Sequence, residues 1–195
     1  MSHAPKQLVV FGGQGSGKGT QAVRLADTFD VPHIGAGDIL RRIAKEGTPL
    51  GQKVAEILGA GQFVPDDLIL EIVTLQLKSL PADRGFVLEG YPRSVVQSEE
   101  FRAALERLGR SPGQTVFVYL DVPRDVLVRR MQDRKRHDDT EELITERLRL
   151  YDERTAPVLQ AVESWARVLH VNGNQPIEAV TDEIVNRLSS AKAQA

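Results

Sequence analysis

The sequence predicts an α/β protein in which a parallel sheet is covered by helices on both faces. Two observations carry that prediction. Short apolar runs alternate along the chain with longer segments whose apolar residues recur at i, i+3 and i+4, and strands separated by helices pair in parallel. The first apolar run, residues 7–11, breaks into Gly12-Gly-Gln-Gly-Ser-Gly-Lys-Gly-Thr-Gln21. In an open parallel sheet such a turn lies at the carboxyl end of a strand, where ligands bind.

The β-like runs are residues 7–11, 85–88, 115–120 and 167–171, with a shorter candidate at 31–34. Helical periodicity marks residues 18–29, 66–80, 95–108, 124–133, 140–164 and 177–188. Residues 35–64 break the alternation. They hold two short amphipathic patterns, 38–45 and 50–58, punctuated by Gly47, Pro49, Gly59 and Gly61 with no strand between them, and so read as an inserted helical flap. Arg134-Lys-Arg-His-Asp-Asp139 is a charged turn too polar for a core. Residues 189–195 read as a frayed tail.

A chain of 195 residues, 41% hydrophobic and 27% charged, fits one globular domain with a full core. No apolar run approaches the roughly 20 residues that span a bilayer, and the start lacks the hydrophobic segment of a signal peptide, so a cytoplasmic protein without a membrane partner is expected. The net charge of −2 argues against a nucleic-acid surface. With no cysteine there is neither a disulfide nor a thiolate nucleophile, and four scattered histidines give no metal-ligand spacing. No heptad seam is visible, so a monomer is expected. Most of the 25 basic residues are arginine, whose guanidinium forks match phosphate oxygens.

The glycine-rich turn is a phosphate cradle. Gly12, Gly13, Gly15 and Gly17 tolerate positive φ, so the backbone can wrap a polyphosphate and aim its N–H groups inward; the following helix adds its positive end. Lys18 supplies the full charge that reaches the transferable phosphate. Gly19 stands where this motif usually has a magnesium-ligating Ser or Thr, the hydroxyl arriving at Thr20. The metal is therefore expected to be held by the nucleotide and water.

Together with this turn, Gly37-Asp-Ile-Leu-Arg41, Gly61-Gln-Phe-Val-Pro-Asp-Asp67, Gly85-Phe-Val-Leu-Glu-Gly-Tyr-Pro-Arg93, Gln97, Arg136-His-Asp-Asp139 and Arg147 resemble, in order and spacing, the adenylate kinases and their nucleoside monophosphate kinase relatives. The resemblance runs from about residue 8 to 173. It implies a three-layer P-loop fold with a five-stranded parallel sheet, a monophosphate-binding flap at 35–64 and a short lid at 131–141. It also implies Mg²⁺-dependent transfer of a phosphoryl group from ATP to AMP, giving two ADP.

Carried over by position, the resemblance puts Gly15, Ser16, Gly17, Lys18, Gly19, Thr20, Arg130, Arg134 and Gln175 on ATP. It puts Ala36, Arg41, Gln62, Phe63, Val64, Gly90, Tyr91, Pro92, Arg93, Gln97, Arg136 and Arg147 on AMP. The catalytic set it implies is Lys18, Arg93, Arg130, Arg136 and Arg147. Such a reaction needs no general base, because the attacking phosphate is already mostly dianionic at pH 7; it needs cations to offset gathered negative charge. Asp138 and Asp139 then read as residues that orient lid arginines.

Several positions depart from the family pattern. Gln14 replaces the usual proline, and Gln175 replaces a lysine near the ATP adenine. The short lid lacks the insertion that carries a zinc knuckle in some members, so no zinc is expected. Glu89 replaces the aspartate that anchors the magnesium water shell and is the candidate for that role here. Gly35-Ala36 replaces Ser-Thr, and the alanine is more like UMP/CMP kinases, whereas Gln97 is the adenylate kinase choice. A UMP/CMP kinase is thus the alternative, and a catalytically impaired nucleotide-binding protein a more distant one.

Overall fold

The computed structural model describes residues 7–60, 62, 64–133 and 140–190. Its centre is a five-stranded sheet: β1 (Gln7–Phe11), β2 (His33–Gly35), β3 (Phe86–Glu89), β4 (Thr115–Asp121) and β5 (Arg167–Asn172). The order is β2-β3-β1-β4-β5 and every pairing is parallel. Leu8 faces Val87 on one side and Val116 on the other, so the strand that feeds the glycine-rich turn is the middle one.

The run 7–11 is apolar almost throughout because both of its faces are covered. Alternate side chains point to opposite sides. Val9 and Phe11 join Leu88, Phe101, Phe117 and Trp165 in one core. Leu8 and Val10 join Leu25, Val118, Leu169 and Ile184 in the other. The first core sits under α4 (Asp66–Lys78), α5 (Val95–Arg107) and α8 (Val158–Val162), the second under α1 (Lys18–Phe29) and α9 (Ile177–Ser190). Each large apolar side chain in these layers contributes about 1.5–3 kcal/mol by leaving water. Phe117 also meets Trp165 edge-to-face at 5.7 Å, an arrangement that adds about 0.5–1.5 kcal/mol.

The inserted segment forms α2 (Ala36–Ile43) and α3 (Pro49–Gly59), with no strand between them. Thr48 accepts a hydrogen bond from the Gly51 amide at 3.0 Å, and Pro49 sits in the first turn of α3. Beyond α6 (Arg124–Asp133) the charged turn 134–139 lies outside the described residues.

The single helix expected over 140–164 is instead three pieces. α7 (Glu141–Leu150) passes into a wider π turn, Tyr151–Thr155, and then α8. Pro157 causes the break: it has no N–H to donate, and its ring displaces the carbonyl four residues back. The Ala156 amide accordingly reaches the Tyr151 carbonyl at 2.8 Å. Among the described residues no helix is long and apolar enough to cross a membrane.

Candidate active site

A cleft of about 1240 Å³ opens at the carboxyl ends of the strands. One wall is the turn after β1. Gly12, Gly15 and Gly17 have φ of 144°, 86° and 91°; Gly13 does not. At Gly15 an added Cβ would stand 2.6 Å from the Leu127 carbonyl oxygen, so helix α6 packs where only glycine fits. Nothing caps the start of α1 through a side chain, which leaves its first amides for a ligand. Lys18 lies at the first helical residue, half-buried rather than exposed, and its Nζ donates to the Gly13 carbonyl at 2.8 Å. Gly19 and Thr20 line the cleft beside it. Ser16 is buried, and its Oγ has no hydrogen-bond partner among the described residues.

The opposite wall is cationic. Gly90, at φ 85°, turns the chain out of β3 so that Tyr91, Pro92 and Arg93 reach the cleft. Arg93 is fixed at both ends: its Nε donates to the Gly90 carbonyl at 2.7 Å and its own carbonyl accepts from Thr155 Oγ1 at 2.9 Å. Burial pushes its pKa down. Glu89 opposes that shift, while Arg41 and Arg147 push it further down. The Arg41 and Arg147 guanidinium groups thus stand close enough to Arg93 to disfavour its charge, an arrangement that an anion relieves. Arg41, on α2, is held by Asp38 at 2.5 Å. Arg147, on α7, is 7% exposed. Arg130, on α6, lines the same cleft and donates to the Gly173 carbonyl at 3.1 Å.

Comparison with known proteins decides what kind of cleft this is. The family described as adenylate kinase matches residues 10–167. The adenylate kinase of Trichodesmium erythraeum (strain IMS101) is 43% identical over 181 residues, covering 91% of this chain and 95% of that protein. Adenylate kinase 1 of Nostoc sp. (strain PCC 7120 / SAG 25.82 / UTEX 2576) is 41% identical over 184 residues, covering 94% and 99%. That of Xanthomonas euvesicatoria pv. vesicatoria (strain 85-10) is 40% identical over 189 residues, covering 95% and 98%. The chain belongs to the adenylate kinase family.

Not every residue matched to the family pattern lies on the cleft. Gln62, Val64, Glu89, Gly90, Tyr91 and Pro92 do. Ser16, Ala36, Gln97 and Gln175 are not among its lining residues. Ala36 is buried. Gln175 turns away, its Nε2 donating to the Asn172 carbonyl at 2.9 Å and to Glu183 Oε2 at 3.0 Å. Gln97 is 2% exposed and borders a pocket of about 20 Å³ that shares Leu40, Val64, Gly90 and Arg93 with the main cleft. Phe63, Arg134, Arg136, Asp138 and Asp139 lie outside the described residues.

Sequence reasoning passed over Tyr151 and Thr155, which line the cleft from the π turn. A π turn shifts the phase of the helix, so a 3.6-residue period gives no signal for them. It also passed over His33 on β2 and Val23 and Arg24 on α1.

A metal implied by the family is tested by the donor set. Among the described residues no group of three His, Cys, Asp or Glu side chains gathers to hold an ion. Glu89 is the carboxylate on the cleft at the end of β3, and Gly19 brings no hydroxyl. That set fits Mg²⁺ carried by the nucleotide rather than caged by protein side chains.

Proposed function

We propose that this chain catalyses the reversible transfer of the terminal phosphoryl group of ATP to AMP, giving two ADP. The observation that carries the reading is the convergence of Arg41, Arg93 and Arg147 on a cleft that also receives Lys18. Phosphates account for such a gathering of cations, and two nucleotides bring enough of them to offset it.

In this reading Lys18 and the amides of residues 15–20 hold the ATP phosphates, and Arg41 and Arg93 hold the phosphate of AMP. Arg130 and Arg147, with Arg136 of the lid, surround the transferred group, while Arg134 and Gln175 serve ATP. The backbone of residues 62–64, the 90–92 turn and Gln97 receive the acceptor base. An oxygen of AMP attacks the γ-phosphorus as the bond from that phosphorus to its bridging oxygen breaks, and the leaving ADP keeps the electron pair. No proton needs a base. Mg²⁺ arriving with the nucleotide would supply charge neutralisation at the phosphates, with Glu89 as the residue placed to face it. Residues 35–64 and 131–141 act as flap and lid, parting for substrates and then excluding water. The reading extends to a cytoplasmic monomer with nucleotides rather than nucleic acid as partners, supported by the near-balanced charge of −2, and it includes no zinc.

Ala36 marks the one point that favours the UMP/CMP alternative. Its methyl offers no hydrogen bond to a base, so in this reading the choice of base falls to Gln97, which borders the small pocket joined to the cleft, and to the backbone around it. A coupled assay with ATP, Mg²⁺ and a panel of AMP, UMP, CMP and GMP tests the proposal. AMP is expected to give the highest kcat/KM. A higher value for UMP or CMP overturns it, and no transfer to any acceptor returns the chain to nucleotide binding alone.

A further inference from the structure

Asp66 stands at the first residue of α4, where its carboxylate completes the surroundings of Gln97. The two ends of the Gln97 amide meet groups of opposite kind. Its Nε2 donates to Asp66 Oδ1 at 2.7 Å, and its Oε1 accepts from the Arg93 backbone amide at 2.6 Å. A carboxylate only accepts and a backbone N–H only donates, so a flipped amide would set oxygen against oxygen and nitrogen against nitrogen. The other carboxylate oxygen of Asp66 lies 3.8 Å from Arg154 Nη2 in the π turn, which holds the acid in place from the far side. Tyr91 Oη completes the frame by donating to the Gln97 backbone carbonyl at 3.2 Å.

Gln97 still has one N–H and one carbonyl lone pair beyond those bonds. A polarity fixed in advance distinguishes two classes of base. Adenine and cytosine present an amino donor beside a ring-nitrogen acceptor. Hypoxanthine, guanine and uracil present an oxo acceptor beside a ring N–H donor, the reverse pattern. An amide locked in one orientation pairs with the first class, and an amide free to flip pairs with either. We propose that Asp66 is a specificity-determining positioning residue: by locking the Gln97 amide it makes the acceptor subsite select amino bases over oxo bases. This rests on the reading that Gln97 receives the acceptor base.

The test compares kcat/KM for AMP and IMP in the wild type and in Asp66→Asn, Asp66→Glu and Gln97→Ala, with KM for ATP and melting temperature measured alongside. Asparagine is the same size, but it can accept from Gln97 only through an uncharged oxygen and only by turning its NH2 toward Arg154, so the preference for one amide orientation is weakened. Asp66→Asn is expected to lower the AMP to IMP ratio about tenfold, the scale of one specific hydrogen bond, with KM for ATP unchanged. Asp66→Glu, which only accepts, restores most of the ratio. If Gln97→Ala lowers the ratio while Asp66→Asn leaves it within about twofold, the lock is overturned and the role of Gln97 stands. If Gln97→Ala leaves the ratio unchanged, Gln97 does not read the base and the proposal falls with that reading. A loss equal in Asp66→Asn and Asp66→Glu marks a structural acid and also overturns it.

Discussion

In the proposed reading Lys18 is the residue whose charge is least replaceable. Its ammonium is tethered to the Gly13 carbonyl, while the turn itself is held by backbone bonds such as Ser16 N to Gly13 O at 3.1 Å. Lys18→Met is therefore expected to keep the fold and lose about 10²–10³ in kcat, the scale of one preorganised charge-stabilising group. Near-normal turnover in the purified variant refutes its placement on the ATP phosphates. Glu89 has two neighbours to serve, the phosphate side of the cleft and Arg93, whose protonation it favours. Glu89→Gln is expected to weaken the Mg²⁺ dependence and lower kcat, with Glu89→Asp largely active. An unchanged Mg²⁺ titration with full activity in Glu89→Gln makes the carboxylate purely structural. At this scale the turn was the most legible part of the sequence, since glycine spacing and Lys18 report a backbone requirement directly. Gln97 shows the limit: its identity was plain, but not that Asp66 and the Arg93 amide occupy half its hydrogen-bonding capacity, because that depends on two segments, the start of α4 and residues 93–97, being brought together.

The connection from α4 to β3 illustrates an arginine used by structure rather than by ligand. Arg110 is 3% exposed. Its Nη1 donates to the carbonyl of Arg84 at 2.7 Å and its Nη2 to that of Pro81 at 2.8 Å, while the guanidinium lies 5.5 Å from the centre of the Phe86 ring. Burial pushes its pKa down, with Asp83 opposing. Arg110→Ala leaves those buried carbonyls unmatched and is expected to cost about 3 kcal/mol, or about 6–12 °C in Tm for a chain of this size. Turnover well below that temperature should survive. A Tm within about 2 °C of wild type removes Arg110 from the framework. The strands and most helices were legible from period and turn residues, the elements differing by a few residues at their ends. The helix expected over 140–164 was misread because its apolar spacing outweighed Pro157, and with it went the π turn that aims Tyr151 and Thr155 into the cleft.

For the molecule as a whole, the proposed reading has two segments close over the carboxyl ends of the strands so that phosphate reaches a nucleotide and not water. A bisubstrate mimic joining two adenosines through five phosphates is expected to slow hydrogen exchange in both 35–64 and 131–141. Protection of only one of them refutes the paired flap and lid. The strand order has a further consequence, for synthesis. β1 is the first strand made and the middle strand of the finished sheet, so neither neighbour exists when it leaves the ribosome. One edge stays open until β3 ends at Glu89 and the other until β4 ends at Asp121, the latter about 5–20 s later at ordinary translation speeds. Open edges recruit foreign strands. The strand that carries the phosphate turn is thus the one that waits longest for its partners, and the nascent chain is most exposed to aggregation at the element on which the cleft is later built.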